Sequence, residues 1–385
     1  LVVTGPRQSG KTTLLRRLFL PRANYVSLEL PDVAAAARAD PRAFLATYPP
    51  PVVLDEIQYA PDLLPYVKER IDDERSATGQ FFLTGSQNLA LLDKVTESLA
   101  GRAATLHLLP LSLAERRGTP DAPLPWERQP RRTASPVRAF DPLWSDLVRG
   151  SYPEIATDPS RDATLWHANY VRTYLERDVR SLRQVGDLSQ FQSFLRAIAA
   201  RSGGLLNASE LGRDLGIASN SVKAWLSVLE ATFQIVLLRP YHANIQKRLV
   251  KSPKIYFTDV GTLCYLVGLK SPAHAAAGPM GGAIFETAVL SEIWKTIVHR
   301  GEEPRMFFWR PHAGIEVDFL VETARGLVPI EAKLSATPRP EMARGIADLR
   351  RDLGPRVAGE GYVVHPGDTR LPLGDGTTAL PFCDL

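Results

Sequence analysis

The sequence is poor in cysteine. Only Cys264 and Cys383 occur among 385 residues. They form no metal-binding pattern and no disulfide framework, which points to a reducing, cytoplasmic setting. No apolar run approaches the ~18 residues a membrane helix needs, and no secretory leader is visible, so no membrane partner is expected. Neither charge sign dominates. The 46 Lys and Arg against 42 Asp and Glu leave a formal charge of +4, which permits a nucleic-acid partner without demanding one. There is no internal repeat. The chain opens inside a strand at Leu1-Val2-Val3, so native residues are expected to precede it.

What is present is a globular composition, 44% hydrophobic and 23% charged. At roughly 100–200 residues per domain, the length implies two or three domains. Short apolar runs at Leu1–Thr4, Tyr25–Leu28, Val52–Leu54, Phe81–Leu83 and Thr105–Leu108 alternate with helical stretches. That alternation predicts α/β structure with a parallel sheet. Residues 117–142 are rich in Pro and Arg, lack periodicity and read as a linker or loop. The pattern is helical from Leu143 to about Tyr241 and mixed from Lys254 onward. The later strands are expected at Lys254–Phe257, Arg305–Trp309, Val317–Val321, Val328–Ala332 and Gly361–Val364, with helices at Phe285–His299 and Pro340–Asp352. The expected units are therefore 1–116, 117–142, 143–260 and 261–385.

The strongest motif is Gly5-Pro6-Arg7-Gln8-Ser9-Gly10-Lys11-Thr12, followed by Thr13. It fits G-x-x-x-x-G-K-[ST] and sits between a strand and a helix. Its backbone N–H groups can wrap phosphates, Lys11 can reach the β- and γ-phosphates of ATP, and Thr12 can ligate Mg2+. Val52-Val53-Leu54-Asp55-Glu56 brings two carboxylates to the edge of the sheet where ligands bind. Asp55 is the expected Mg2+ residue, and Glu56 the residue that orients or deprotonates the attacking water. Ser86, with Thr84 in reserve, is the candidate γ-phosphate sensor. Arg102 reads either as an arginine finger or as a structural ion pair.

These residues resemble the prokaryotic AAA-type ATPases that carry a C-terminal domain of unknown function. The resemblance rests on Gly5–Thr13, Val52–Gln58, Leu83–Gln87, Leu99–Arg102, Pro110–Glu115, Gly150–Glu154, Tyr174–Asp178, Lys254–Asp259 and Glu331-Ala332-Lys333. It spans most of the chain apart from 117–142. It implies a sheet of order 5-1-4-3-2 with Glu56 as the catalytic carboxylate, and it leaves the biological role open.

Farther along, Ser209–Leu215, a turn at Gly216-Ile217 and Ser219–Leu229 read as a helix-turn-helix. Val222, Trp225, Leu226 and Leu229 form its inner face, and Asn220, Lys223 and Ser227 its outer face. His242–Lys254 carries Lys247, Arg248, Lys251 and Lys254 and reads as a basic wing toward duplex DNA or as a solvated face. In the last unit, Asp318 followed by Glu331-x-Lys333, with Glu286 on the preceding helix, resembles a restriction-endonuclease-like (PD-(D/E)XK) core. That resemblance implies Asp318, Glu331 and Glu286 around Mg2+, Lys333 as a catalytic cation, and a cleft open to solvent. An inactive nuclease scaffold and an ordinary Glu–Lys pair are the alternatives. The leading expectation is an ATPase coupled to DNA engagement, with oligomeric state open. A nucleotide-gated scaffold or signalling ATPase competes with it, and a nucleotide kinase is a weaker third.

Overall fold

The computed structural model describes residues 1–20, 22–86, 98–127, 140–175, 188–242, 252–311 and 315–385, with backbone alone at 86, 140, 141, 174 and 175. The alternating runs at the start of the chain become five strands: β1 (Val2–Gly5), β2 (Asn24–Ser27), β3 (Val52–Asp55), β4 (Phe81–Ser86) and β5 (Thr105–His107). Their order is β2-β3-β4-β1-β5, and every pairing is parallel. Alternate residues serve opposite faces, as the strand period of two requires. Val2, Val52 and Leu54 join one apolar cluster. Val3 and Val53 join another with Leu15, which stands on the helix Lys11–Phe19. Coverage on both faces is what allows β1 and β3 to be buried throughout.

The middle of the chain contributes the helices Leu188–Ala199, Ala208–Leu215 and Ser219–Ala231. The Asn207 side chain caps the second helix by accepting from the Ser209 and Glu210 N–H groups. Trp225 packs edge-on against Phe191 and Phe194, at 5.4 and 5.2 Å between ring centroids.

One expectation needs correction here. Ile235–Pro240 is a strand, β6, not helix. Its antiparallel partner is β7 (Lys254–Phe257). Both belong to an eight-stranded sheet with β8 (Met306–Trp309), β9 (Val317–Thr323), β10 (Gly326–Ala332), β11 (Gly361–His365), β12 (Leu371–Gly374) and β13 (Thr377–Pro381). The order is β12-β13-β11-β10-β9-β8-β6-β7, so a boundary at 260 would leave β6 and β7 on one side and the rest of their sheet on the other. The described part of the expected linker is also packed: Leu124 is buried, and Arg300 bonds Glu127 at 2.8 Å and the Ala122 carbonyl at 2.7 Å. Among the described residues, no helix is long and apolar enough to cross a membrane.

The helix Gly281–His299 fastens the parts together. Its Glu292 accepts from the Leu113 N–H at 2.5 Å, and its His299 Nε2 accepts from the Leu109 N–H at 3.1 Å. Its Lys295 donates to Ser151 Oγ at 2.8 Å. Ser151 in turn donates to Asp259 Oδ1 through its N–H at 2.7 Å and its hydroxyl at 2.6 Å. The other Asp259 oxygen caps the helix Val260–Leu266, accepting from the Thr262 N–H at 2.8 Å and its hydroxyl at 2.9 Å.

Burial acts to raise the Asp259 pKa, but His167, Lys295 and the hydrogen bonds more than reverse it, so the carboxyl is held below its ordinary 3.8. A depressed acid lends stability above its unfolded pKa and loses it as pH falls through its folded pKa. Asp259→Asn should therefore lower unfolding stability by about 1–3 kcal/mol at neutral pH, the cost of leaving buried donors without their charged acceptor. Urea titrations should show that deficit constant above pH 3.8 and shrinking below it.

Candidate functional site

At the end of β1 the chain turns through Gly5–Gly10 into the helix Lys11–Phe19. Gly5 has φ +146°, and a Cβ there would lie 2.0 Å from the Leu108 carbonyl oxygen, so only glycine fits between the loop and the strand end. Lys11 is buried and its ammonium donates to the Gly5 and Pro6 carbonyls at 2.9 and 2.8 Å, which curls the loop around it. The Ser9 hydroxyl is buried and has no hydrogen-bond partner among the described residues. An orphaned donor in a phosphate loop fits a bound anionic oxygen.

Across β4, β3 delivers Asp55. Its carboxylate accepts from the hydroxyls of Thr12 at 3.0 Å, Tyr25 at 2.7 Å, and Thr84. Burial first, and then the bond to Asp55, push the Tyr25 phenol well above its ordinary pKa, so it stays a donor. Glu56 follows at φ 57°, a left-handed conformation that costs a non-glycine residue on the order of 1–3 kcal/mol and clusters at functional sites. Its N–H donates to Thr84 Oγ at 2.9 Å and its carboxylate accepts from Gln58. Thr12 beside Asp55 is a donor set that suits Mg2+ shared with phosphate oxygens; when bound, such an ion neutralises charge on the β- and γ-phosphates.

A cavity of about 580 Å³ opens over these groups, lined by Arg7, Gln8, Gly10–Thr13, Glu29 and Glu56. Pro153, Glu154 and Thr157 complete its wall. This wall was not legible from residue types, because Gly150–Glu154 stood out only through the family resemblance. Glu154 is held by Arg161 at 2.8 Å and by the Trp166 indole N–H at 3.0 Å.

Two other candidates take different positions. Thr84, buried against Asp55 and the Glu56 N–H, locks the carboxylate pair and does not face the cavity as a sensor. Ser86 ends β4, and its side chain lies outside the described residues. Arg102 sits at the opposite end of the sheet, beside Leu1, Gln80 and Phe81. Its guanidinium grips Asp72 at 2.8 and 2.9 Å. Within its own chain Arg102 thus makes the structural ion pair that stood beside the finger as the other reading.

The C-terminal candidates do converge. Glu331 lies one residue beyond the Ile330–Phe319 pairing of β10 with β9, opposite Asp318. Lys333 Nζ lies 2.6 Å from Glu331 and 3.8 Å from Asp318, and Asp318 also accepts from the Ala332 N–H at 2.9 Å. Glu286 accepts from the Tyr256 hydroxyl at 2.5 Å and from Lys254 Nζ at 3.0 Å. Lys254 also pairs with Glu316, and with Asp318 at 3.9 Å.

One expectation fails at this cluster. It is not an open cleft: Glu331 is 3% and Asp318 8% exposed, and a Cβ on Gly345 would lie 2.3 Å from the Glu331 carboxylate. Among the described residues, no group of three or more His, Cys, Asp or Glu is arranged to hold a metal ion, and Lys254 and Lys333 stand beside these carboxylates. Burial first, then Asp318, push Glu286 up to about 7 and Glu331 upward.

For the nucleic-acid candidates, Asn220 and Lys223 are exposed on the helix Ser219–Ala231, opposite the buried Val222, Trp225, Leu226 and Leu229. Lys247, Arg248 and Lys251 lie outside the described residues.

Parallel sheet, phosphate loop and carboxylate pair define an AAA-type P-loop ATPase domain, and an AAA domain model matches residues 1–116. Two domains of unknown function match later segments, DUF8612 over 141–273 and DUF4143 over 281–385. The chain belongs to the same family as the uncharacterized protein Rv2008c of Mycobacterium tuberculosis and the uncharacterized protein Mb2031c of Mycobacterium bovis, each 30% identical over 383 residues, covering 99% of this chain and 79% of the relative. Among solved structures, the Aeropyrum pernix ORC1 protein in complex with DNA matches at 17% identity, covering 69% of this chain and 86% of that one, with a TM-score of 0.29. A point variant of Thermotoga maritima RuvB matches at 17% identity, covering 61% and 80%, with a TM-score of 0.27. At such scores neither likeness carries an argument.

Lys11→Ala should abolish binding of Mg·ATP in a titration with a fluorescent nucleotide, because it removes the cation at the centre of the loop. A folded variant with unchanged affinity would overturn the assignment of the site.

Proposed function

We propose that this protein binds and hydrolyses ATP with Mg2+ and couples its nucleotide state to its C-terminal region, through which it engages duplex DNA in the cytoplasm. In this reading Lys11 and the loop N–H groups hold the phosphates, Thr12 and Asp55 hold the metal, and Glu56 orients the attacking water. The paired Asp55-Glu56 suits water activation better than transfer to a second nucleotide.

One observation carries the coupling. The wall residue Pro153 stands two residues from Ser151, which is bonded to Lys295. Lys295 shares one helix with Glu286 of the C-terminal cluster. A change in the wall on nucleotide turnover therefore has a bonded, buried route to that cluster. DNA contact rests on the helix-turn-helix pattern, with Asn220 and Lys223 exposed, and on the basic run Lys247, Arg248 and Lys251, which we read as a wing. The buried cluster favours a second reading, a nucleotide-gated scaffold whose nuclease-like domain does not cleave.

Glu56→Gln should keep ATP affinity and slow hydrolysis at least ~10²-fold, the lower range for a lost general base; a wild-type rate would remove Glu56 from that role. Duplex DNA should raise ATP turnover and bind more weakly as salt rises. Changing Lys247, Arg248 and Lys251 together to Ala should flatten the salt slope by up to ~3. Turnover indifferent to DNA, with no salt-dependent binding, would leave the scaffold reading.

A further inference from the structure

We propose that Lys254 is the built-in cation of the C-terminal carboxylate cluster. It takes the position that a divalent metal occupies in a nuclease-like site and makes the cluster a metal-free latch between β7 and the rest of the C-terminal sheet. The inference refines the reading of the nuclease-like domain given above and favours its non-cleaving form. It does not depend on whether that domain meets DNA.

The geometry is specific. A lysine ammonium offers three N–H donors and a single positive charge. Lys254 meets three carboxylates from separate places: Glu286 on the helix Gly281–His299 at 3.0 Å, Glu316 just before β9, and Asp318 on β9 at 3.9 Å. Its side chain is 6% exposed. In the sheet order, β8 and β6 stand between β9 and β7. Flat strand spacing would put β7 about 14 Å from β9, beyond a lysine's reach. The ion pairs therefore require the sheet to curl, and they hold it in that shape.

Burial alone would lower the Lys254 pKa. Glu286, Asp318 and Glu316 more than reverse this, so the amine stays charged. The second lysine, Lys333, does the same for Glu331 and Asp318, and Arg310 stands 3.8 Å from Glu316. Four carboxylates thus face three cations at short range. Burial also disfavours ionisation of Glu286 and Glu331. Little uncompensated negative charge is left to draw a divalent ion out of its hydration shell.

The test is Mn2+ titration of nucleotide-free protein at pH 8, followed by the electron paramagnetic resonance of free Mn2+. No nucleotide or DNA is present, so the outcome is separable from ATPase activity and from DNA binding. Wild type and Asp318→Asn should bind Mn2+ alike. Lys254→Met should gain one site, roughly tenfold tighter than any in wild type, because one buried and two half-buried carboxylates lose their counter-charge. Lys254→Met/Asp318→Asn should lose that site again. A wild-type Mn2+ site that disappears in Asp318→Asn would overturn the proposal, as would a folded Lys254→Met that gains nothing. If Lys254→Met does not fold, the comparison of wild type with Asp318→Asn decides by itself.

Discussion

A carboxylate removed from water has to be met by charge and hydrogen bonds on every side, and Asp259 imposes that condition on this fold. Each of its oxygens takes two bonds, one pair from Ser151 and one from Thr262. Lys295 supplies counter-charge through the Ser151 hydroxyl. The partners come from three parts of the chain far apart in sequence. Satisfying one buried group therefore fixes the Ser151 turn, the helix Val260–Leu266 and the helix Gly281–His299 relative to one another. The turn leads directly to Pro153 and Glu154, so the same condition positions the outer wall of the nucleotide cavity.

The nucleotide site and the C-terminal cluster treat buried charge in contrasting ways. In the first, hydroxyls surround Asp55, Lys11 is held by backbone carbonyls, and a buried serine hydroxyl has no partner among the described residues. These groups suit a ligand that brings negative charge and a metal with it. In the second, lysines and carboxylates neutralise each other within the protein. Residues of similar type thus give an open site in one place and a latch in the other. The difference lies in whether the counter-charge is supplied by a ligand or by the chain.

Much of this was legible in the sequence. The phosphate loop could be read because glycine spacing and the terminal Lys-Thr pair answer a local steric demand. The strands β1 to β5 were legible because each is a short apolar run between turn signals. Period-two alternation placed Glu331 and Lys333 on one face, and the order of strands brought Asp318 to them. The reading failed where the deciding contact is remote. Ile235–Pro240 has no Gly, Pro, Asn or Asp before it to signal the turn at Thr232–Gln234 that ends the preceding helix, and it becomes a strand because β7 and β8 offer edges to it. Lys254 read as one of several basic residues in a wing, since nothing local announces three carboxylates gathered from Glu286, Glu316 and Asp318. Arg102 read as a finger or an ion pair, because its partner Asp72 is thirty residues away.

The central claim is that nucleotide state reaches the C-terminal region through the bonded node at Ser151, Asp259 and Lys295. Hydrogen–deuterium exchange on Glu56→Gln, with and without Mg·ATP, tests it most directly. The account predicts that ATP changes protection in the phosphate loop and also in 150–157, in the helix Val260–Leu266 and along the helix Gly281–His299, and that Ser151→Ala confines the change to the first two. Protection altered only around the phosphate loop in Glu56→Gln, with the two later helices unmoved, would contradict it.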